Sequence, residues 1–147
     1  VVMTNNYLTQ HQSCTFPMKV LENEKYDLQK KSAVFAIAEE YKSNGIESGL
    51  AKYRKLKNDK SYRLTEDDIN TLGYEILENN EIKDAIEIFK INTEKFPKSG
   101  NVWDSLGEAY LKDGNEVEAI KNYTKSVELD PKNESAKAIL AKLAKKK

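Results

Sequence analysis

The chain has 147 residues, with 24 basic and 24 acidic side chains, so its formal net charge is zero. This balance argues against a general electrostatic attraction to nucleic acid or to an anionic membrane surface. The charged fraction of 33% and the low content of proline and glycine are typical of helices with one solvated face. No apolar run approaches the ~20 residues that cross a bilayer, so we expect no membrane insertion.

Residues 1–31 show no dependable helical or strand period and are interpreted as an N-terminal arm or linker. His11 and Cys14 lie three residues apart in this segment and are the candidates for a metal site or a Cys–His nucleophile. Two ligands do not make a zinc site, and the single cysteine cannot form an internal disulfide. We therefore predict no metal and no cofactor. The chain begins with Val1 rather than methionine, which leaves open that it is excised from a larger protein.

Residues 66–99 and 100–133 align without a gap at a period of 34. Apolar residues at helical spacing lie on both sides of a turn-rich stretch in each unit, "ENNE" in one and "KDGN" in the other, which predicts two helices per unit. Thr65 with Asp68, and Asn101 with Asp104, are the predicted capping pairs at the helix starts. The residues that match between the two units are Leu72 and Leu106, Gly73 and Gly107, Ala85 and Ala119, Phe89 and Tyr123, and Pro97 and Pro131.

A degraded copy of the same unit covers residues 32–65, so the three units together span residues 32–133. Residues 134–147 contain one more apolar stripe without a partner helix, followed by a lysine tail. We interpret this last segment as a capping helix, because a stacked array needs a polar outer face at its end. The lysines also complement the negative end of the helix dipole. The sequence therefore predicts an all-α fold.

The order W-x-x-L-G-x-x-Y, then A-x-x-x-F or Y, then P, resembles the signature of the tetratricopeptide repeat. The resemblance implies an α-α superhelix of about three helix-turn-helix repeats plus the C-terminal capping helix. Residues 105–133 also resemble repeats appended to bacterial serine-hydrolase domains of the β-lactamase-like group. In the last unit, the signature positions are Trp103, Leu106, Gly107, Tyr110, Ala119, Tyr123 and Pro131.

Gly73 and Gly107 lie inside predicted helices, where glycine costs about 1 kcal/mol relative to alanine. We interpret both as packing devices. Without a side chain, the first helix of each unit approaches the second closely, and Phe89 and Tyr123 fill the space. Burial of a large side chain, at ~1.5–3 kcal/mol, offsets the loss in helix propensity.

No Ser-x-x-Lys, Gly-x-Ser-x-Gly or P-loop sequence occurs in the chain. We therefore predict a non-catalytic module that binds a peptide or partner protein. The alternative is a non-catalytic appendage or spacer of a serine hydrolase whose catalytic domain is absent from this chain. Homo-oligomerisation stays open. The compartment is the cytoplasm by default, or the periplasm if the chain is the tail of an exported hydrolase.

The resemblance implies that the first helices line a concave groove for extended peptides. Acidic residues occupy this groove where a clamp for a terminal carboxylate would need Lys, Arg and Asn. We expect a mildly negative groove that prefers basic peptides to acidic tails, and we expect Asp104→Lys to leave the fold intact. Phe35 would extend the groove. The predicted groove residues are Glu39, Asn70, Tyr74, Glu78, Asn101, Asp104, Glu108 and Lys112.

Overall fold

A computed structural model describes residues 31–145 of the chain. Except for Lys31, the predicted N-terminal arm with His11 and Cys14 lies outside the described residues, as do the last two lysines of the tail. The elements of the described part are β1 (Lys31–Ser32), α1 (Ala33–Asn44), α2 (Ile46–Leu56), β2 (Tyr62–Arg63), α3 (Glu66–Glu78), α4 (Ile82–Lys95), α5 (Gly100–Lys112), α6 (Glu116–Leu129) and α7 (Glu134–Ala144).

The helices form three antiparallel pairs, α1 with α2, α3 with α4, and α5 with α6, and α7 packs on α6 at the end. This arrangement confirms the predicted all-α superhelix with a capping helix. Strands β1 and β2 pair in parallel, Lys31 opposite Tyr62 and Ser32 opposite Arg63, which the sequence analysis did not predict. The pairing brings the connector after α2 back beside the start of α1. Two residues per strand do not change the fold class.

The turns inside the second and third pairs have the same backbone conformation. Asn80 and Gly114, which are 34 residues apart, both adopt left-handed conformations, with φ of 65° and 77°. Asparagine and glycine are the residues that tolerate this region best. The predicted turns at "ENNE" and "KDGN" are therefore confirmed.

The starts of α3 and α5 differ from each other. Thr65 and Asp68 form the predicted reciprocal capping box at α3. The predicted cap at Asn101 and Asp104 is wrong, because α5 begins at Gly100 after Ser99 and has no side-chain cap. The side chains of Asn101 and Asp104 form hydrogen bonds with residues outside α5 instead. The local sequence pattern does not predict these partners, because they are distant in the sequence.

The two helical glycines are confirmed as sites of close helix approach. A Cβ atom built on Gly73 would lie 2.5 Å from the ring of Phe89, and one on Gly107 would lie 3.1 Å from the ring of Tyr123. Both rings are almost completely buried. The space that a side chain would need is therefore occupied by the aromatic ring of the paired helix, most tightly at Gly73.

The other signature residues divide between the core and the turns. Trp103 and Tyr110 are only partly buried, and Tyr110 packs against the buried core. The Trp103 indole donates a hydrogen bond of 3.0 Å to the carbonyl oxygen of Pro97 and so links α5 to the end of α4. Pro97 and Pro131 are exposed after the second helices. The buried signature residues are Leu72, Gly73, Ala85, Phe89, Leu106, Gly107, Ala119 and Tyr123.

Candidate binding face on the first helices

The first helices of the successive units are α1, α3, α5 and, as a fourth member, α7. Helices α1 and α3 are neighbours, and so are α3 and α5. Side chains three or four residues apart lie on one side of a helix, so the register of each helix selects one outward row. We call the combined rows the first-helix face. Its residues are Phe35, Glu39, Lys42, Asp67, Asn70, Tyr74, Glu78, Asn101, Asp104, Glu108, Lys112, Lys142 and Lys145.

A hydrogen-bonded chain across α3 and α5 connects three of the predicted groove residues. The Tyr74 hydroxyl donates to Glu108 Oε2 at 3.0 Å, and Lys112 Nζ lies 3.5 Å from Glu108 Oε1. Burial raises the pKa of Tyr74 to about 12; the Ser105 hydroxyl opposes this rise, and Glu108 adds to it. Tyr74 is therefore neutral and a hydrogen-bond donor throughout the physiological range. The charge of Glu108 is already compensated within the protein.

Asp104 belongs to α5, and its partly exposed side chain faces the start of α7. The side-chain amide of Asn133 donates to Asp104 Oδ1 at 2.8 Å, and Asn133 also caps α7 through the Ala136 amide. Burial raises the pKa of Asp104, the hydrogen bond from Asn133 opposes that rise, and Glu108 adds to it. Asp104 is therefore part of a structural contact, and Asp104→Lys would break it. The geometry does not support the expectation that this substitution leaves the fold undisturbed.

The pKa of Asp104 predicts a pH-dependent effect of Asp104→Asn. Because the pKa of Asp104 in the folded protein lies above its ordinary value, the carboxylate lowers stability at neutral pH, and the loss is recovered as pH falls through the folded pKa. Asparagine keeps an oxygen that accepts from Asn133, and Asn70 occupies the equivalent position one unit earlier. We expect the variant to be at least as stable as the wild type at neutral pH, with its advantage disappearing near pH ~4. Urea denaturation at the two pH values measures this, and a less stable variant at neutral pH would contradict it.

Asn101 and Asn70 have different surroundings, although both are predicted groove residues. The Asn101 amide donates to Glu66 Oε1 at 3.0 Å, and Ser99 Oγ donates to the same oxygen at 2.9 Å. Asn70 Oδ1 is buried and accepts no hydrogen bond from residues 31–145. Its equivalent, Asp104, accepts from Asn133, the last residue of the same unit, whereas Ser99, the residue equivalent to Asn133, donates to Glu66 instead. Asn70 is therefore the residue of the pair with unused bonding capacity.

Four predicted groove residues, Glu39, Glu78, Asn101 and Lys112, are exposed to solvent. Lys112 pairs with Glu108 on its own helix. Glu39 and Glu78 form no hydrogen bond or ion pair with the described residues. The structure thus brings Tyr74, Glu108 and Lys112 together, and it leaves Glu39 and Glu78 as separate free carboxylates on α1 and α3.

The sequence analysis missed the contribution of α7 to this face. Lys142 lies 34 residues after Glu108, so the same period that defines the repeats also places it on the outward row, and Lys145 follows three residues later at the end of α7. Both are exposed. The two lysines were missed because residues 134–147 were interpreted only as a capping helix with a lysine tail. The face is consequently less uniformly negative than expected, and its basic residues are concentrated toward the C-terminal end.

No helix within residues 31–145 is both long enough and apolar enough to cross a membrane. The same residues contain no group of three or more His, Cys, Asp or Glu side chains arranged to hold a metal ion. The side chains of the first-helix face are hydrogen-bonding groups, charges and two aromatic rings, those of Phe35 and Tyr74. Such groups are suited to the recognition of another chain.

Comparison with known proteins identifies one part of the chain directly. Residues 100–133 match the family described as tetratricopeptide repeat, over the same residues as the last 34-residue unit. The chain is also 51% identical over 37 residues to Superkiller complex protein 3 of Homo sapiens. That similarity covers 25% of this chain and 2% of the human protein, so it concerns about one repeat.

Residues 100–133, which match this family, contain half of the predicted groove residues, namely Asn101, Asp104, Glu108 and Lys112. Repeats of this family generally mediate protein–protein interactions. Stacked helical repeats create extended surfaces because each unit adds one more helix to the same side. Helices α1, α3, α5 and α7 form such a series in this protein.

Proposed function

We propose that this protein is a non-catalytic interaction module that binds an extended segment of a partner protein on the first-helix face. The observation that carries the proposal is the tetratricopeptide repeat at 100–133, within a series of first helices that continues from α1 to α7. Extended surfaces of this kind are what stacked repeats use for binding. The human relative is named after a complex, which agrees with a role in protein assembly. Neither comparison supports the serine-hydrolase appendage.

Two side chains of the face have binding capacity that the fold does not use. The Phe35 side chain is 73% exposed, one of two large hydrophobic side chains so exposed among residues 31–145. An exposed aromatic ring is the type of group that dominates binding energy at protein interfaces. Asn70 Oδ1 lacks a donor, and a backbone N–H group of an extended peptide supplies one after a rotation of the side chain. An apolar anchor and a backbone acceptor together favour a peptide ligand.

Phe35→Ala tests the proposal against a matched control. Val117 is 77% exposed but lies on α6, outside the first-helix face, so Val117→Ala removes a comparable apolar group elsewhere. We expect Phe35→Ala to weaken the best binder from an array of labelled extended peptides by roughly fivefold or more, because truncation of a central aromatic anchor costs over ~1 kcal/mol. Val117→Ala should leave the affinity unchanged. Fluorescence anisotropy measures both.

Two results would contradict the proposal. The array could contain no peptide that binds in the micromolar range, or the two alanine variants could weaken binding equally. In the first case, a concentration-dependent mass in sedimentation experiments would favour a dimerisation surface. In the second case, the binding site would lie outside the first-helix face.

A further inference from the structure

Apart from Lys42 on α1, the free charges of the first-helix face are separated along the series of helices. Asp104 and Glu108 are already engaged by Asn133, Tyr74 and Lys112 within the protein. The carboxylates without a hydrogen bond or an ion pair to the described residues lie on α1 and α3, the first helices of the first two units. They are Glu39 on α1 and Asp67 and Glu78 on α3. At the other end, α7 carries two exposed lysines, 142 and 145, without an ion pair to the described residues.

A cleft adds to the acidic end of the face. It encloses about 560 Å³ between the end of α1, the end of α3 and the start of α4. Lys42 is the one basic residue in its lining. The Tyr41 hydroxyl, inside the cleft, is hydrogen-bonded to two of the lining carboxylates. The acidic side chains that line the cleft are Glu75, Glu78, Glu81 and Asp84.

The repeat itself shows that the fold does not require three of these four carboxylates, Asp84 being matched by Glu118. At the equivalent places 34 residues later, Glu75 is replaced by Ala109, Glu78 by Lys112 and Glu81 by Asn115. The carboxyl end of α3 has no basic residue in its last turn, whereas α5 has Lys112 there. Carboxylates at the negative end of a helix dipole lower stability. Glu75 and Glu78, which oppose local stability at the end of α3 and are absent from the matching unit, therefore indicate a functional constraint.

We propose that the first-helix face binds a charge-segregated segment of a partner protein, with a basic stretch at the cleft between α1 and α3 and an acidic stretch at Lys142 and Lys145. This proposal rests on the proposed function and specifies the chemistry of the ligand. Neighbouring packed helices lie 8–10 Å apart, so α3 and α7 are separated by roughly 20 Å. An extended chain rises about 3.3 Å per residue, so about six residues separate the two charged stretches.

Two labelled peptides of identical composition test the charge arrangement. One has a lysine-rich end and a glutamate-rich end separated by about six neutral residues. The other contains the same residues with lysines and glutamates alternating. We expect the segregated peptide to bind roughly tenfold more tightly at low salt, and we expect the difference to disappear at about 1 M salt, where charges are screened within ~3 Å.

Variants then assign each end of the face. The double variant Glu75→Ala/Glu78→Lys inserts the residues of the matching unit, so we expect an unchanged or higher melting temperature. Its affinity for the segregated peptide should fall roughly three- to tenfold. Lys142→Gln/Lys145→Gln should lower the affinity for the segregated peptide by a similar factor, and it places no carboxylate at a helix end. Lys121→Gln/Lys125→Gln removes two lysines from α6, away from the face, and should leave the affinity for the segregated peptide unchanged.

The possible failures are distinguishable. Equal affinities for the segregated and alternating peptides would overturn the charge-segregated ligand while leaving peptide binding on the face intact. An equal loss in the α6 control would also overturn it, because general electrostatic attraction would then explain binding. If neither peptide binds and the peptide array for Phe35 contains no binder, the proposed function itself fails.

Discussion

Gly73→Ala should destabilise the protein by about 2 kcal/mol, although alanine favours a helix by about 1 kcal/mol over glycine. The added Cβ would lie 2.5 Å from the Phe89 ring, a distance that real Cβ contacts do not reach. Because that ring is fully buried, it cannot move away without displacing its neighbours, and overpacking of this kind costs ~1–3 kcal/mol. Urea denaturation followed by circular dichroism gives the free energy of unfolding.

Gly107→Ala is the matched control, since it makes the same change one unit later. There the new Cβ would lie 3.1 Å from Tyr123, so a shift of a few tenths of an ångström is sufficient. The gain in helix propensity then offsets the strain, and we expect a change within ~0.5 kcal/mol. Gly107→Val, with its larger β-branched side chain, should still cost about 1–3 kcal/mol. Equal losses for the two alanine variants would show that the ring contact does not decide the effect.

A double-mutant cycle identifies the clash itself. In a Phe89→Leu background the ring is absent, and the smaller side chain leaves room beside Gly73. The cost of Gly73→Ala should therefore shrink by more than 1 kcal/mol, which is within the range of coupling between contacting residues, ~0.5–3 kcal/mol. An unchanged cost would place the strain elsewhere than at Phe89.

Phe89→Ala should produce the largest loss of stability among these variants, about 3–5 kcal/mol. The ring is completely buried, fills the space beside Gly73, and contacts the Tyr74 ring edge to face at a centroid distance of 5.1 Å. Its removal leaves a cavity between α3 and α4 that backbone glycine cannot fill. Loss of the edge-to-face contact also releases Tyr74, whose hydroxyl links α3 to α5 through Glu108. The melting temperature should fall by roughly 10–20 °C.

Phe35→Ala makes the same chemical change at a side chain that is 73% exposed. Surface substitutions of this kind normally change the free energy of unfolding by less than ~0.5 kcal/mol. Comparing Phe89→Ala with Phe35→Ala therefore separates the effect of burial on stability from the effect of residue type. Phe35→Ala is also the variant that tests peptide binding. A loss of several kcal/mol for Phe35→Ala would mean that residues outside the described range cover this ring. A loss below 1 kcal/mol for Phe89→Ala would contradict its role in the core.

Much of the candidate face was accessible to sequence reasoning, because the repeat period transfers positions from one unit to the next. Adding 34 to Asn70 and Tyr74 gives Asp104 and Glu108, and the structure places all four on the same rows. Adding 34 to Glu108 gives Lys142, which was missed only because α7 was interpreted as a cap. The cleft between α1 and α3 is different, since the degraded first unit has no matching junction from which its shape can be inferred.

Periodicity and local conformational preferences were sufficient to define the helices, the left-handed turns at Asn80 and Gly114, and the glycine–aromatic packing within each pair. Those features depend on residues close in sequence or on a repeated spacing. The partners of the polar side chains were decided only by the tertiary structure. Asp104 was expected as a free groove charge and a capping residue, yet it is held by Asn133 at 2.8 Å. A hydrogen bond between helices depends on how the units pack, and a polar side chain with several partners within reach is assigned to one of them only by that packing.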